Sequence, residues 1–303
     1  MAQGVNVMDC FTDEKMAVYN GDCIEVMRGL PDESVGYSIF SPPFSSLYTY
    51  SNSPRDLGNV RDDEEFFAHF AFVVRELYRV TKPGRLCSFH CMLLPSSKTM
   101  HGHIGIRDFR GDLIRAFVAE GWIHHSEVVI WKDPVTAMQR TKALGLLHKQ
   151  IKKDSCMSRQ GIPDYLVTMR KPGEQAVEDR VTHTGIGDDL SVDEWQRLAS
   201  PVWMDINPSE TLQKESAREN EDERHICPLQ LEVIRRGLKL WSKKGDTVLS
   251  PFMGIGSEGY CAIEMGRRFV GAELKASYYK QALANLRAVS ERGAQADLFG
   301  AVA

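Results

Sequence analysis

Residues 246–257 read DTVLSPFMGIGS, and what flanks this stretch decides the fold. Asp246 to Leu249 is a short apolar strand. Gly254 and Gly256 follow it, and a helix continues to Met265 before a second strand, Arg268 to Leu274. A Gly-x-Gly pair between a strand and a helix is where a dinucleotide-type loop belongs. The glycines permit a tight turn and a close approach of ligand to backbone. Glu273 ends the next strand, 17 residues after Gly256, where a carboxylate accepts both hydroxyls of a ribose. The plainer alternative is a tight turn with a solvated Glu. No Lys-Ser/Thr pair follows the last glycine, so the loop is not a triphosphate cradle. A ribose-bearing ligand with no need of a phosphate site, such as S-adenosylmethionine, fits the pattern.

Outward from this loop the same rhythm recurs. Helices are expected from Gly21-Asp22 through Leu30, over about 62–80 with Phe66, Phe70, Val73, Val74 and Leu77 on one face, over 108–120, 229–241 and 277–289. Strands are expected over 35–40, 85–91 and 122–131. Alternating strands and helices predict an α/β fold with a parallel sheet. The rhythm is lost over 133–224. There Arg140, Lys142, Lys149, Lys152, Lys153 and Arg159 face a single acid, Asp154, within 140–159. The formal net charge is −4, so approach to a polyanion needs a local patch, and this stretch is the candidate for contact with DNA. A solvated helix face is the plain alternative. Residues 207–224 read as an exposed helix or mobile loop.

A second constellation is Ser41-Pro42-Pro43-Phe44, at the carboxyl end of the 35–40 strand. Open α/β sheets place their chemistry at that edge. The prolines remove two donors and keep their carbonyls. Together with the Ser41 hydroxyl and the flat face of Phe44, they suit a planar group bearing an NH2. A rigid turn is equally consistent with these four residues alone.

Other chemistry is weakly signalled. The seven cysteines form no Cys-x-x-Cys pair and read as reduced thiols. Phe89-His90-Cys91 and His101-Gly102-His103 lack zinc-ligand spacing, so no metal is expected. No run of ~18 apolar residues predicts a membrane span, and no signal pattern is read at the amino end.

The two constellations together resemble the permuted, beta-class amino-methyltransferases of DNA. Ser-Pro-Pro-Phe is similar to their (Asp/Asn/Ser)-Pro-Pro-(Tyr/Phe/Trp) tetrapeptide, and Ser250-Pro251-Phe252-Met253-Gly254-Ile255-Gly256 to their cofactor loop, with Ser250 where the family usually has Asp. Gly21-Asp22-Cys23 with Leu30 to Val35, and His225-Ile226-Cys227-Pro228-Leu229-Gln230, resemble the segments preceding each. The resemblance implies a circularly permuted, Rossmann-like methyltransferase sheet with an inserted target-recognition region. It divides into a catalytic half (1–132), a DNA-contact region (133–224), a cofactor half (225–292) and a flexible tail (293–303).

It further implies S-adenosylmethionine as cofactor, held by Asp22, Cys23, His225, Cys227, Pro228, Gln230, Ser250, Pro251, Phe252, Gly254, Gly256, Ser257 and Glu273. Ser41 to Phe44 would be catalytic, and a base flipped from duplex DNA the substrate, with adenine N6 slightly favoured over cytosine N4. A homodimer in a bacterial cytoplasm, of bacterial or phage origin, is implied. An RNA or protein methyltransferase and a catalytically impaired DNA-binding regulator are the alternatives. Gln295, Leu298 and Phe299 resemble a sliding-clamp docking peptide.

Overall fold

The computed structural model describes residues 7–44, 62–96, 98–141, 144–183, 190–213 and 228–300. In chain order the elements are β1 (Asp9–Thr12), β2 (Met16–Asn20), α1 (Cys23–Arg28), β3 (Val35–Phe40), α2 (Asp63–Val80), β4 (Thr81–Met92), β5 (Leu94–Ser96), α3 (Lys98–His101), β6 (Gly105–Arg107), α4 (Phe109–Ala119) and β7 (Ile123–Ile130). They continue as α5 (Pro134–Thr141), α6 (His148–Ile151), β8 (Asp164–Arg170), α7 (Val192–Leu198), β9 (Val202–Trp203), α8 (Leu231–Trp241), β10 (Thr247–Ser250), α9 (Ser257–Glu264), β11 (Arg268–Glu273) and α10 (Ala276–Gly300).

Nine strands form one sheet in the order β1-β2-β11-β10-β3-β4-β8-β7-β9. The five from β2 to β4 run parallel. β3 is buried along its whole length, as a central parallel strand covered on both faces must be. One face packs under α1, α2 and α4. Phe66, Phe70, Val73, Val74 and Leu77 of α2 are fully buried there, as their helical spacing predicts. Asp62 caps α2 by accepting the Glu65 amide at 2.9 Å, an arrangement that contributes about 1 kcal/mol. The other face packs under α8, α9 and α10.

Three expectations are corrected. The sheet is mixed, because β8 runs antiparallel to both β4 and β7. Residues 133–224 are not one inserted region, since they supply β8, buried in the middle of the sheet, and the edge strand β9. The last helix does not end near Val289. α10 passes through Gly293 to Gly300, because a glycine inside a helix costs only about 1 kcal/mol and does not by itself stop it. The expected flexible tail is therefore helical up to Gly300. The side chains of Gln295, Leu298 and Phe299, and residues 214–224 of the expected mobile stretch, lie outside the described residues.

Candidate active site

β10 and β3 lie side by side and parallel, with Val248 opposite Tyr37 and Leu249 opposite Ser38. From β10 the chain turns through α9 to β11 on one flank. From β3 it turns through α2 to β4 on the other. The strand order reverses between them, and a crevice opens at the carboxyl ends of such a pair. Ser250-Pro251-Phe252 and Ser41-Pro42-Pro43-Phe44 both emerge there. The rings of Phe40 and Phe252 bridge the two ends with centroids 5.7 Å apart.

The glycine loop has two faces. Gly254 has φ +55°, and a Cβ built on it would meet nothing within 4 Å. Gly256 has φ +89°, and its Cβ would stand 3.2 Å from that of Ala282 on α10. Gly254 thus opens toward space that a ligand can use. Gly256, also expected at the cofactor, allows close packing of loop on helix. Glu273 is pinned beside the loop: Oε2 accepts the Gly254 amide at 2.9 Å and Oε1 accepts the Lys275 amide at 2.8 Å.

Asp22 and Cys23 arrive at the same edge, since the Gly21 amide donates to the Glu273 carbonyl at 3.1 Å. Asp22 caps α1 through Oδ1, which accepts the Ile24 and Glu25 amides at 2.9 and 3.3 Å. Burial, reinforced by the negative charge of Asp22, pushes the Cys23 thiol far up, so it stays protonated. α8 runs antiparallel to the strands, so Pro228 and Gln230 at its start lie at their carboxyl edge. The buried Gln230 Oε1 and Ser250 Oγ have no hydrogen-bond partner among the described residues. Pro251 and Ser257 are buried and Phe252 half-buried. His225 and Cys227 lie outside the described residues.

At the other constellation Pro42 is buried, while Ser41, Pro43 and Phe44 are half-buried. The Phe44 ring leans on Phe109 at 6.2 Å, which fixes its plane. Behind Ser41 stand residues that sequence reasoning misses or sets aside. Ser41 Oγ lies 3.2 Å from His90 Nδ1 on β4. His90 Nε2 lies 3.0 Å from Asp164 Oδ2 at the start of β8, and Lys132 Nζ reaches the same oxygen at 2.6 Å. Burial alone would raise the Asp164 carboxyl, but its contacts with His90 and Lys132 outweigh it and hold it below the usual range. The sequence signal for Asp164 is the unbroken run Asp164 to Met169 after Pro163, readable as a buried strand beginning with an acid.

The basic stretch is carried by the same edge. Asp164 pairs with Met92 on one side and Ile130 on the other, so the excursion 131–163 leaves and re-enters the sheet beside His90. Lys149, Lys152 and Lys153 on it are exposed. Arg159 is half-buried and donates to the Gln160 carbonyl at 3.0 Å, so it is less free than expected. Lys142 and the side chain of Arg140 lie outside the described residues. A separate cavity of about 600 Å³, lined by Arg85, His125, Thr168, Trp195 and Trp241, lies toward the opposite ends of the strands and gathers none of the residues above.

Residues 37–284 match the family described as DNA methylase. The chain is 25% identical over 266 residues to the type II methyltransferase M.BglII of Bacillus subtilis, covering 86% of this chain and 66% of that one. It is 25% identical over 265 residues to M.BamHI of Bacillus amyloliquefaciens, covering 85% of this chain and 54% of that one. It thus spans just under two thirds of the first relative and about half of the second. In fold it is similar to TTHA0409 of Thermus thermophilus, assigned as a DNA modification methylase and solved with S-adenosyl-L-methionine, with a TM-score of 0.65, 22% identity and coverage of 91% and 96%. It is equally similar to the cytosine-N4-specific PvuII DNA methyltransferase, with a TM-score of 0.64, 14% identity and coverage of 95% and 96%.

Proposed function

The chain belongs to the DNA methylase family, whose match spans residues 37–284, and from that premise we propose that it methylates an exocyclic amino group of a base in duplex DNA. The observation that carries the reading is the adjacency of the Ser41 and Ser250 ends of two paired strands. It sets an amine-accepting turn beside a cradle for a ribose-bearing cofactor.

The cradle fits S-adenosylmethionine. Space is open above Gly254, and Ser250 Oγ and Gln230 Oε1 are buried without partners among the described residues. Glu273 accepts the ribose hydroxyls, while Asp22, Cys23, Pro228, Gln230, Ser250 to Phe252, Gly254 and Ser257 wall the site. His225 and Cys227 complete the proposed set by their place in the sequence. Bound there, S-adenosylmethionine supplies an electrophilic methyl group.

The chain's part is to prepare the amine. An exocyclic amine is a poor nucleophile because its lone pair is delocalised into the ring. Ser41 Oγ and the Pro42 carbonyl accept its two N–H bonds, let the nitrogen pyramidalise, and stabilise the positive charge that develops on it. The base is reached by flipping it from the stack at a cost of a few kcal/mol, and stacking on Phe44 offsets about 1–3 kcal/mol. Lys149, Lys152 and Lys153 hold backbone phosphates on the rim, which supplies affinity without sequence choice.

The proposed target is adenine N6. Ser41 at the head of the tetrapeptide favours cytosine N4 as the second reading, since serine there leans to cytosine in the family. The setting is a bacterial cytoplasm and the working form a homodimer. The 291–303 segment offers Gln295, Leu298 and Phe299 to a sliding clamp, which a labelled peptide titrated with clamp would test. Transfer of tritium from labelled S-adenosylmethionine to duplex DNA, RNA or protein tests the main reading. Label on DNA supports it, and label on RNA or protein alone overturns it.

A further inference from the structure

Ser41 can accept a proton from the substrate amine only if its own hydroxyl hydrogen points elsewhere. The structure supplies that elsewhere. His90 Nδ1 is 3.2 Å from Ser41 Oγ, and His90 Nε2 is 3.0 Å from Asp164 Oδ2. The Nε2 contact is bent and fails as a linear hydrogen bond, yet a ring lone pair would not face a carboxylate at that distance. Nε2 therefore carries a ring hydrogen, and in the neutral ring Nδ1 is then the acceptor. Asp164 is 3% exposed and is itself held by Lys132 at 2.6 Å. Among the described residues, Asp164 on β8 and, beyond it, Lys132 after β7 are charged groups on this side of His90. On β8, Leu166 stands directly opposite it. The layer below is neutral: Tyr37 donates to Ser88 at 2.7 Å, and Ser88 meets Thr168 at 2.8 Å.

We infer that His90, oriented by Asp164, is the positioning residue that turns the Ser41 hydroxyl away from the base and takes its proton as Ser41 receives one from the methylated amine. The inference rests on the methyltransferase reading above. Methyl transfer leaves the base nitrogen with one proton too many. Its N–H bond breaks, with the electron pair staying on nitrogen, and a new Oγ–H bond forms on Ser41. The original Oγ–H bond breaks and Nδ1–H forms on His90. The resulting imidazolium is stabilised by Asp164 until it releases the proton to water.

Two measurements test this. In cofactor-free protein labelled with nitrogen-15 at histidine, the His90 signals should show the tautomer protonated at Nε2, and His90→Gln should identify them by their loss. In single-turnover tritium transfer to duplex DNA across pH, His90→Gln should lower the rate about 100-fold, the scale of general acid–base catalysis, and remove the acid limb of the profile. His90→Asn, which keeps an acceptor near the Nδ1 position, should recover part of the rate without the limb. Asp164→Asn should lower the rate in the same assay, with S-adenosylmethionine affinity unchanged in every variant. A ring protonated at Nδ1, or a His90→Gln variant with wild-type rate and an intact acid limb, would overturn the inference while leaving the methyltransferase reading in place. A wild-type protein that binds duplex DNA and S-adenosylmethionine yet transfers nothing would overturn both.

Discussion

The backbone amide of Gly254 donates to Glu273 Oε2 at 2.9 Å, so the proposed cofactor loop is tied to the carboxylate proposed to receive the ribose. The two glycines of that loop divide the work, and substitution separates them. Gly254→Val places a branched side chain into open space at φ +55° and should weaken S-adenosylmethionine binding at least ~10-fold, or about 1.4 kcal/mol, by calorimetry. Gly256→Ala should instead lower the melting temperature and leave the affinity within about threefold, because its Cβ meets Ala282 rather than the ligand. An affinity loss confined to Gly256→Ala would reverse the assignment.

Glu258, in the first turn of α9, is 5% exposed. Burial, with some help from Glu273, pushes its carboxyl up to about 8. A carboxyl whose folded pKa lies above its unfolded value binds its proton more tightly in the native state. Stability is therefore lost as pH rises from about 4.5 toward about 8. Glu258→Gln removes the ionisation. Its melting temperature relative to wild type should rise steadily across that window and level off above it, in cofactor-free protein. A difference that is independent of pH would show that Glu258 is not a buried acid.

The exposed Lys149, Lys152 and Lys153 sit on the excursion that re-enters the sheet at Asp164. Replacing all three by Ala should weaken DNA binding alike for every sequence. Each lost phosphate contact lowers the slope of log affinity against log salt by about 0.9. An unchanged slope would place the DNA on another face.

The parallel core and both constellations are legible in the sequence because they depend on short-range chemistry: a strand, a turn with a glycine or proline signature, then a helix. The cluster of Ser41, His90, Asp164 and Lys132 is not. His90, Asp164 and Lys132 are far apart in the chain and meet only because β8 inserts between β4 and β7, and no local periodicity announces a strand's neighbours. β8 itself is hard to read for a related reason: a strand buried on both faces lacks the alternation that marks a half-exposed one. The role of Gly256 is hidden because a Gly-x-Gly pattern reports backbone freedom and not which side of the turn needs it. The extent of α10 is hidden because a lone glycine such as Gly293 signals a stop whether or not the helix continues beyond it.

Ser41 is proposed to prepare an exocyclic amine for methylation beside a separate cofactor cradle. Duplex DNA incubated with S-adenosylmethionine and either wild type or Ser41→Ala, then digested to nucleosides and weighed by mass spectrometry, tests it most directly. Wild type should yield N6-methyladenine or N4-methylcytosine, and Ser41→Ala should yield at least ~100-fold less while binding the cofactor as tightly. Methylation at a ring carbon, or a Ser41→Ala variant with wild-type yield, would contradict the account.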